Sequence, residues 1–157
     1  MTDSKPFRRC LGKFATGVTV VTCSDSAGNR YGITANSFSS VSLDPPLVLW
    51  NIAKVSNSLG AFLKASHFAI NILTSDQKDL STHFAKSDHT LFDQIECGLS
   101  ADGAPLLNET LASFECRTHA IHECGDHYII VGEVTGFTTN DKDPLLFYGG
   151  AYRQLKD

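Results

Sequence analysis

The chain has 157 residues, 42% apolar and 19% charged, which suits one packed domain and excludes a disordered chain. Its 13 basic and 17 acidic residues leave a net charge of −4, which argues against a nucleic-acid duplex or an anionic membrane as the main partner, since both require a basic face. No apolar run approaches the ~20 residues of a membrane-spanning helix, Lys13 interrupts the one apolar N-terminal patch before it forms a secretory signal, and the five cysteines, odd in number and without a Cys-x-x-Cys pair, read as reduced thiols of a cytoplasmic protein.

Phe7, Cys10, Leu11 and Phe14 recur at i, i+3, i+4 and i+7 and predict a first helix, which Gly17 ends. Residues 18–23 are rich in β-branched side chains and predict a strand. Asp25, Gly28 and Asn29 mark a turn, and residues 30–38 return as the second strand of a hairpin. Pro45-Pro46 stops that run, and residues 47–52 predict a buried strand. Val55, Leu59, Phe62 and Leu63 fit one face of a helix with Ser56 as its cap. Residues 67–73 form the next strand. Thr74-x-x-Gln77 has the form of a capping box, before a helix whose face carries Leu80 and Phe84. Residues 86–109 are polar or turn-like. Residues 111–122, 128–139 and, after Pro144, 145–155 complete about seven strands, mostly antiparallel. With no alternating βαβ units, the expected fold class is mainly β (α+β): a partly closed β-barrel with short helices between strands.

Several chemistries are excluded by their motifs. No two glycines stand as Gly-x-Gly, so the dinucleotide fingerprint of a doubly wound sheet is missing, and neither a P-loop nor a Gly-x-Ser-x-Gly elbow is present. Cys116, His119, His122, Cys124 and His127 resemble a metal cluster at first sight. Strand alternation splits them between two faces and their spacing is not that of structural zinc, so no metal site is expected. The most distinctive segment is residues 32–46, with five hydroxyls and one amide between two apolar runs. Such a segment offers neutral donors and reachable backbone N–H groups to a phosphate or to the polar edge of a flat heterocycle. Composition alone leaves open a Ser/Thr-rich edge strand leading into a loop. Asn71, inside an apolar strand, reads as a satisfied core amide.

Five segments, in this order, resemble the flavin reductase-like domain family, the small reductase component of two-component flavin-dependent monooxygenases. They are Phe14-Ala15-Thr16-Gly17-Val18-Thr19-Val20-Val21-Thr22, Gly32-Ile33-Thr34-Ala35-Asn36-Ser37-Phe38 with Ser40-Val41-Ser42-Leu43-Asp44-Pro45-Pro46, Phe68-Ala69-Ile70-Asn71-Ile72-Leu73, Asp126-His127-Tyr128-Ile129-Ile130-Val131-Gly132-Glu133-Val134, and Pro144-Leu145-Leu146-Phe147-Tyr148-Gly149-Gly150-Ala151-Tyr152. The resemblance covers residues 7–155 and implies one flavin reductase-like domain over 1–157, a split β-barrel of the FMN-binding type that forms a homodimer. It implies FMN or FAD as cofactor, NADH or NADPH as electron donor, and an oxygenase component as partner.

By the same resemblance, Thr34, Ala35, Asn36 and Ser37 line the flavin, with Ser40 and Val41 beyond them. Trp50, Asn51 and Ile52 touch flavin at the next strand's end. Ser56 helps hold a flavin phosphate, and Phe84 closes the site. His127 stands beside the nicotinamide as the one residue expected at the reacting centre; it positions the ring, since hydride transfer needs no proton relay. Tyr148, Gly149, Gly150 and Tyr152 lie at the cofactor mouth. Relatives carry an arginine where Gly149 stands, which leaves NADH or NADPH open. For Trp50 and Tyr148 the residues alone equally allow a place in the barrel core or a dimer contact. Two other functions stay open at this point: reduction of another acceptor, such as ferric iron, and a non-catalytic flavin-binding module.

Overall fold

The structure is a computed structural model that describes residues 3–86 and 92–156. The predicted turn-like stretch therefore falls partly, at 87–91, outside the described residues. Helix α1 (Lys5–Leu11) precedes a short strand β1 (Thr16–Gly17). Strands β2 (Thr19–Ser24), β3 (Arg30–Ala35), β4 (Ser39–Leu43) and β5 (Pro46–Ala53) follow, then α2 (Leu59–Lys64) and β6 (His67–Ile72). A 3₁₀ turn (Ser75–Gln77) runs into α3 (Lys78–Phe84). The chain ends with a small hairpin, β7 (Cys97–Leu99) and β8 (Pro105–Leu107), two long strands, β9 (Ala112–Cys124) and β10 (His127–Thr139), and a last pair, β11 (Leu146–Tyr148) and β12 (Ala151–Arg153).

Seven strands form one antiparallel sheet in the order β3-β2-β6-β9-β10-β5-β4. Its outermost strands, β3 and β4, are joined by only three residues, 36–38. A flat seven-stranded sheet would hold its edges roughly 29 Å apart, while the link reaches ~15 Å at most. The sheet must therefore curl until its two edges flank one another, and they meet without pairing. This is the partly closed barrel expected from the sequence, with an open seam between β3 and β4. Ser37 fastens the link across that seam: its Oγ accepts the Asn51 N–H at 2.9 Å.

The β2–β3 hairpin forms where the turn residues predict it, in the register Thr19↔Ala35 to Ser24↔Arg30. The Asp25 carboxylate accepts the N–H groups of Ala27 and Asn29, both at 2.9 Å. Val21, Cys23, Val48, Trp50, Ile52, Phe62, Phe68, Ile70, Cys116 and Ile130 fill the barrel. Phe68 lies on the bare backbone of Gly132, where an added Cβ would come within 2.5 Å of the ring. A second cluster, including Val18, Val20, Leu73, Phe84, Phe92 and Leu145, packs outside β2. That strand is consequently buried on both faces, which explains its unbroken apolar run.

Asn71 is the satisfied core amide the sequence suggests. Its Nδ2 donates to the Val20 carbonyl at 3.0 Å, and its Oδ1 accepts the Leu107 N–H at 3.0 Å, tying β8 to the barrel. Thr22 Oγ1 donates to the Pro105 carbonyl at 2.6 Å on the same side.

Strands β1, β4, β7 and β8 are additions to the predicted set, and four predicted elements differ from expectation. The predicted strand 30–38 stops at Ala35, because residues 36–38 cross the seam. Helix α2 starts at Leu59 with Ser58, not Ser56, at the cap position. The predicted strand 145–155 is a hairpin turning at Gly149 and Gly150, both left-handed at φ 60° and 78°. Helix α1 forms, but its apolar face lies open: Phe7, Leu11 and Phe14 are all exposed. Among the described residues no helix is long and apolar enough to cross a membrane, and no group of three His, Cys, Asp or Glu side chains comes together as a metal site.

Candidate functional site

A cleft of about 450 Å³ lies against β3, between α3, the 53–58 loop and β12. β3 pairs with β2 on one side and ends the sheet on the other, so its second edge keeps main-chain donors and acceptors available. Thr34, Ala35, Asn36, Ser56, Phe84 and Tyr152, six residues proposed from the sequence, line this cleft together.

Their positions are fixed from beneath. Thr34 Oγ1 donates to the Ser81 carbonyl at 2.7 Å, locking β3 to α3. Ser81 Oγ and the Tyr152 hydroxyl share a 2.7 Å hydrogen bond, which brings β12 to the same point. Thr74 N–H donates to Gln77 Oε1 at 3.1 Å at the start of the turn into α3, so the capping box legible in the sequence orients the helix carrying Ser81 and Phe84. Phe84 is buried against Gly32: a Cβ there would meet two ring carbons at 2.7 Å. Phe92 adds a second ring 4.9 Å from Phe84. Ser56 Oγ stands 3.1 Å from Ser58 Oγ, so the loop presents paired hydroxyls rather than a helix cap.

Sequence reasoning missed the cations. Arg30 and Lys86 both line the cleft. The Arg30 guanidinium lies 5.2 Å from the centre of the Phe92 ring, and its Nη1 donates to Cys97 Sγ at 3.2 Å. Gly32 and Arg30 lie two and four residues before Thr34 on the same strand, so period-2 alternation from the proposed site would have found them. Lys86, Phe92 and Phe147 reach the cleft only through tertiary packing.

The remaining proposed residues lie elsewhere. Trp50 and Ile52 do not reach the cleft: they are fully buried in the barrel core, Trp50 with its ring 4.9 Å from Phe62. Alternation along β5 accounts for this placement, since Val48, Trp50 and Ile52 share the inward face. Asn51 is on the opposite face with its Oδ1 buried and without a partner. Ser37 Oγ is taken up by the Asn51 N–H, outside the cleft lining. Ser40 and Val41 are exposed on β4. Tyr148, Gly149 and Gly150 form the β11–β12 turn, where the Gly149 N–H donates to the Gly12 carbonyl at 2.8 Å.

His127 is outside the lining but beside it, because the β10–β5 register pairs it with Ala53, a cleft residue. Its Nδ1 is 2.7 Å from Asp126 Oδ1, and this hydrogen bond together with the histidine's charge holds the Asp126 carboxyl below its ordinary range. Residues 11–156 match the family model described as flavin reductase like domain. The chain belongs to that family. It is 51% identical over 150 residues to the FMN reductase (NADH) SmoA of Agrobacterium fabrum, covering 96% of this chain and 85% of that protein. It is 45% identical to the reductase component of the flavin-dependent trigonelline monooxygenase of Acinetobacter baylyi, covering 94% of this chain but only 48% of that protein's length. The fold superimposes with TM-score 0.91 at 38% identity on the NADH:FAD oxidoreductase SgcE6 of Streptomyces globisporus, in a structure holding NAD and FAD fragments, over 99% of this chain and 96% of that one.

Proposed function

We propose that this flavin reductase-like chain is an NAD(P)H-dependent flavin reductase that reduces FMN or FAD and supplies it to a partner oxygenase. One observation carries the reading: in a member of this family, the cleft joins two aromatic rings, Phe84 and Phe92, tilted 52° to one another, to a row of neutral hydroxyls and amides and two cations. That donor set fits a flavin. The rings suit a planar heterocycle, Thr34, Asn36 and the free edge of β3 suit its polar rim, and Ser56, Ser58, Arg30 and Lys86 suit its phosphate. The bound flavin supplies hydride acceptance and release. The chain's own groups hold it in place, limit water around it and present one open side to the nicotinamide. His127, braced by Asp126 at the cleft's edge, positions the nicotinamide as a hydrogen-bonding group. Contacts made mainly by neutral groups suit a flavin that exchanges as a substrate.

The protein works as a homodimer. The exposed apolar side chains of α1 and of Val41 and Leu43 on β4 are surface that a symmetric copy would cover. Static light scattering at micromolar concentration tests this, and an active monomer contradicts it. The catalytic reading is tested by following NAD(P)H oxidation and anaerobic bleaching of added flavin. Turnover should saturate with FMN or FAD; NAD(P)H left intact at every flavin concentration would refute it. His127→Ala should lower kcat/KM for NAD(P)H by roughly 5–150-fold, the equivalent of ~1–3 kcal/mol for one lost hydrogen bond, and change flavin affinity far less. Equal losses for both substrates would make His127 structural.

A further inference from the structure

A second, larger cleft of about 950 Å³ opens beside the first. Arg30, Tyr31 and Asn57 line both, so the two share one neck. Beyond the neck the floor is α2, where Gly60 and Ala61 leave room and Lys64 follows one turn later. An added Cβ at Gly60 meets nothing within 4 Å.

The charges here are unevenly committed. Asp25 accepts two backbone N–H groups, the Asn29 amide and the Tyr31 hydroxyl, and Asp102 faces His67 Nε2 at 3.5 Å. Among the described residues neither Arg30 nor Lys64 has a carboxylate partner. Arg30 is held only by a thiol, a carbonyl and a ring face. Arg30 at the neck and Lys64 beyond it, neither ion-paired although Asp25 and Asp102 line the same cleft, form a track for phosphate.

We infer that the second cleft receives the adenosine monophosphate half of a dinucleotide whose ring end occupies the first cleft, with Arg30 at the neck and Lys64 beyond it as its phosphate contacts. The inference rests on the flavin reductase reading and adds how a dinucleotide is told from a mononucleotide. The same adenylate occurs in FAD and in NAD(P)H, and the test separates them.

Lys64→Glu reverses one charge, and Gly60→Gln puts a side chain into the cleft while favouring helix. FMN and FAD are titrated separately by flavin fluorescence, with FMN as internal reference. If the adenylate is that of FAD, each variant raises the ratio of FAD to FMN dissociation constants about 5–10-fold, the size of one partly exposed charged contact, and AMP displaces FAD but not FMN from the unaltered protein. If it is that of NAD(P)H, the flavin ratio holds and the KM for NADH measured with FMN rises by a similar factor. The inference is overturned if AMP displaces nothing and both readouts stay within about two-fold in both variants, or if FMN and FAD weaken equally. An unaltered protein that binds neither flavin would instead refute the reductase reading beneath it.

Discussion

Gly32 is the place where one methyl group should be felt through the whole cleft. A Cβ there would come within 2.7 Å of two carbons of Phe84 and 3.1 Å of Phe92. Phe84 cannot turn aside, because Phe92 and His83 flank its ring at 4.9 and 5.0 Å. Gly32→Ala must then push α3 away from β3. Overpacking of this kind costs about 1–3 kcal/mol, and at ~2–4 °C per kcal/mol for a domain of this size the melting temperature should fall by roughly 2–12 °C. Because α3 also carries Ser81, the shift strains the Thr34 and Tyr152 hydrogen bonds, and flavin affinity should fall about tenfold. The decisive assay is a double-mutant cycle. Phe84→Leu removes the ring, so Gly32→Ala should cost at least ~1 kcal/mol less in that background when unfolding free energies are measured in urea. Additivity within ~0.5 kcal/mol would refute the idea that this contact sets the width of the cleft.

Three further outcomes follow from other parts of the structure. Ser37→Ala removes the acceptor of the Asn51 N–H and should cost ~1–2 kcal/mol of stability by urea unfolding, with a smaller loss of flavin affinity than Gly32→Ala. Asn71→Leu leaves the buried Leu107 N–H without its acceptor, so it should destabilise by ~1–3 kcal/mol and speed hydrogen exchange at Leu107 before the barrel strands. Burial pushes the Cys23 and Cys116 thiols up to about 12 from 9.0. Below pH 9 both states keep these protons; above it the unfolded chain loses them first, so stability should fall by about 1.4 kcal/mol per pH unit per thiol until pH 12. Cys23→Ala should reduce the slope of unfolding free energy against pH between 9 and 11 by up to about 1.4 kcal/mol per pH unit, and an unchanged slope would assign alkaline instability to other groups, such as Tyr31 and Lys54, whose pKa values are also raised.

Local signals carried most of the architecture. The Asp25–Asn29 turn, the Thr74 and Gln77 box and the β-branched runs each describe structure within a few residues, and each forms where the sequence puts it. The β7–β8 hairpin was invisible because Cys97–Leu99 and Pro105–Leu107 have no pattern of their own; Asn71 and Thr22 hold them from the barrel. The double glycine at 149–150 is a hairpin signal within the sequence, and it splits the predicted strand 145–155 in two. In the site, Thr34 to Asn36 stand out by chemistry and Arg30 follows from them by alternation along β3, whereas Lys86 and Phe92 reach the cleft only through packing, and alternation along β5 turns Trp50 inward.

The free edge of β3 has a consequence for how this protein yields to mutagenesis. Ala35 already lines the cleft with the smallest side chain that truncation can leave, and Gly32 has none. Whatever these positions contribute to a ligand they contribute through peptide groups, which survive every change of side chain. An alanine scan along residues 32–36 therefore leaves Ala35 unchanged and reads at Gly32 only the clash with Phe84, so the peptide groups of this wall go untested. Amide-to-ester exchange at Thr34, whose peptide N–H faces away from β2, interrogates the wall itself.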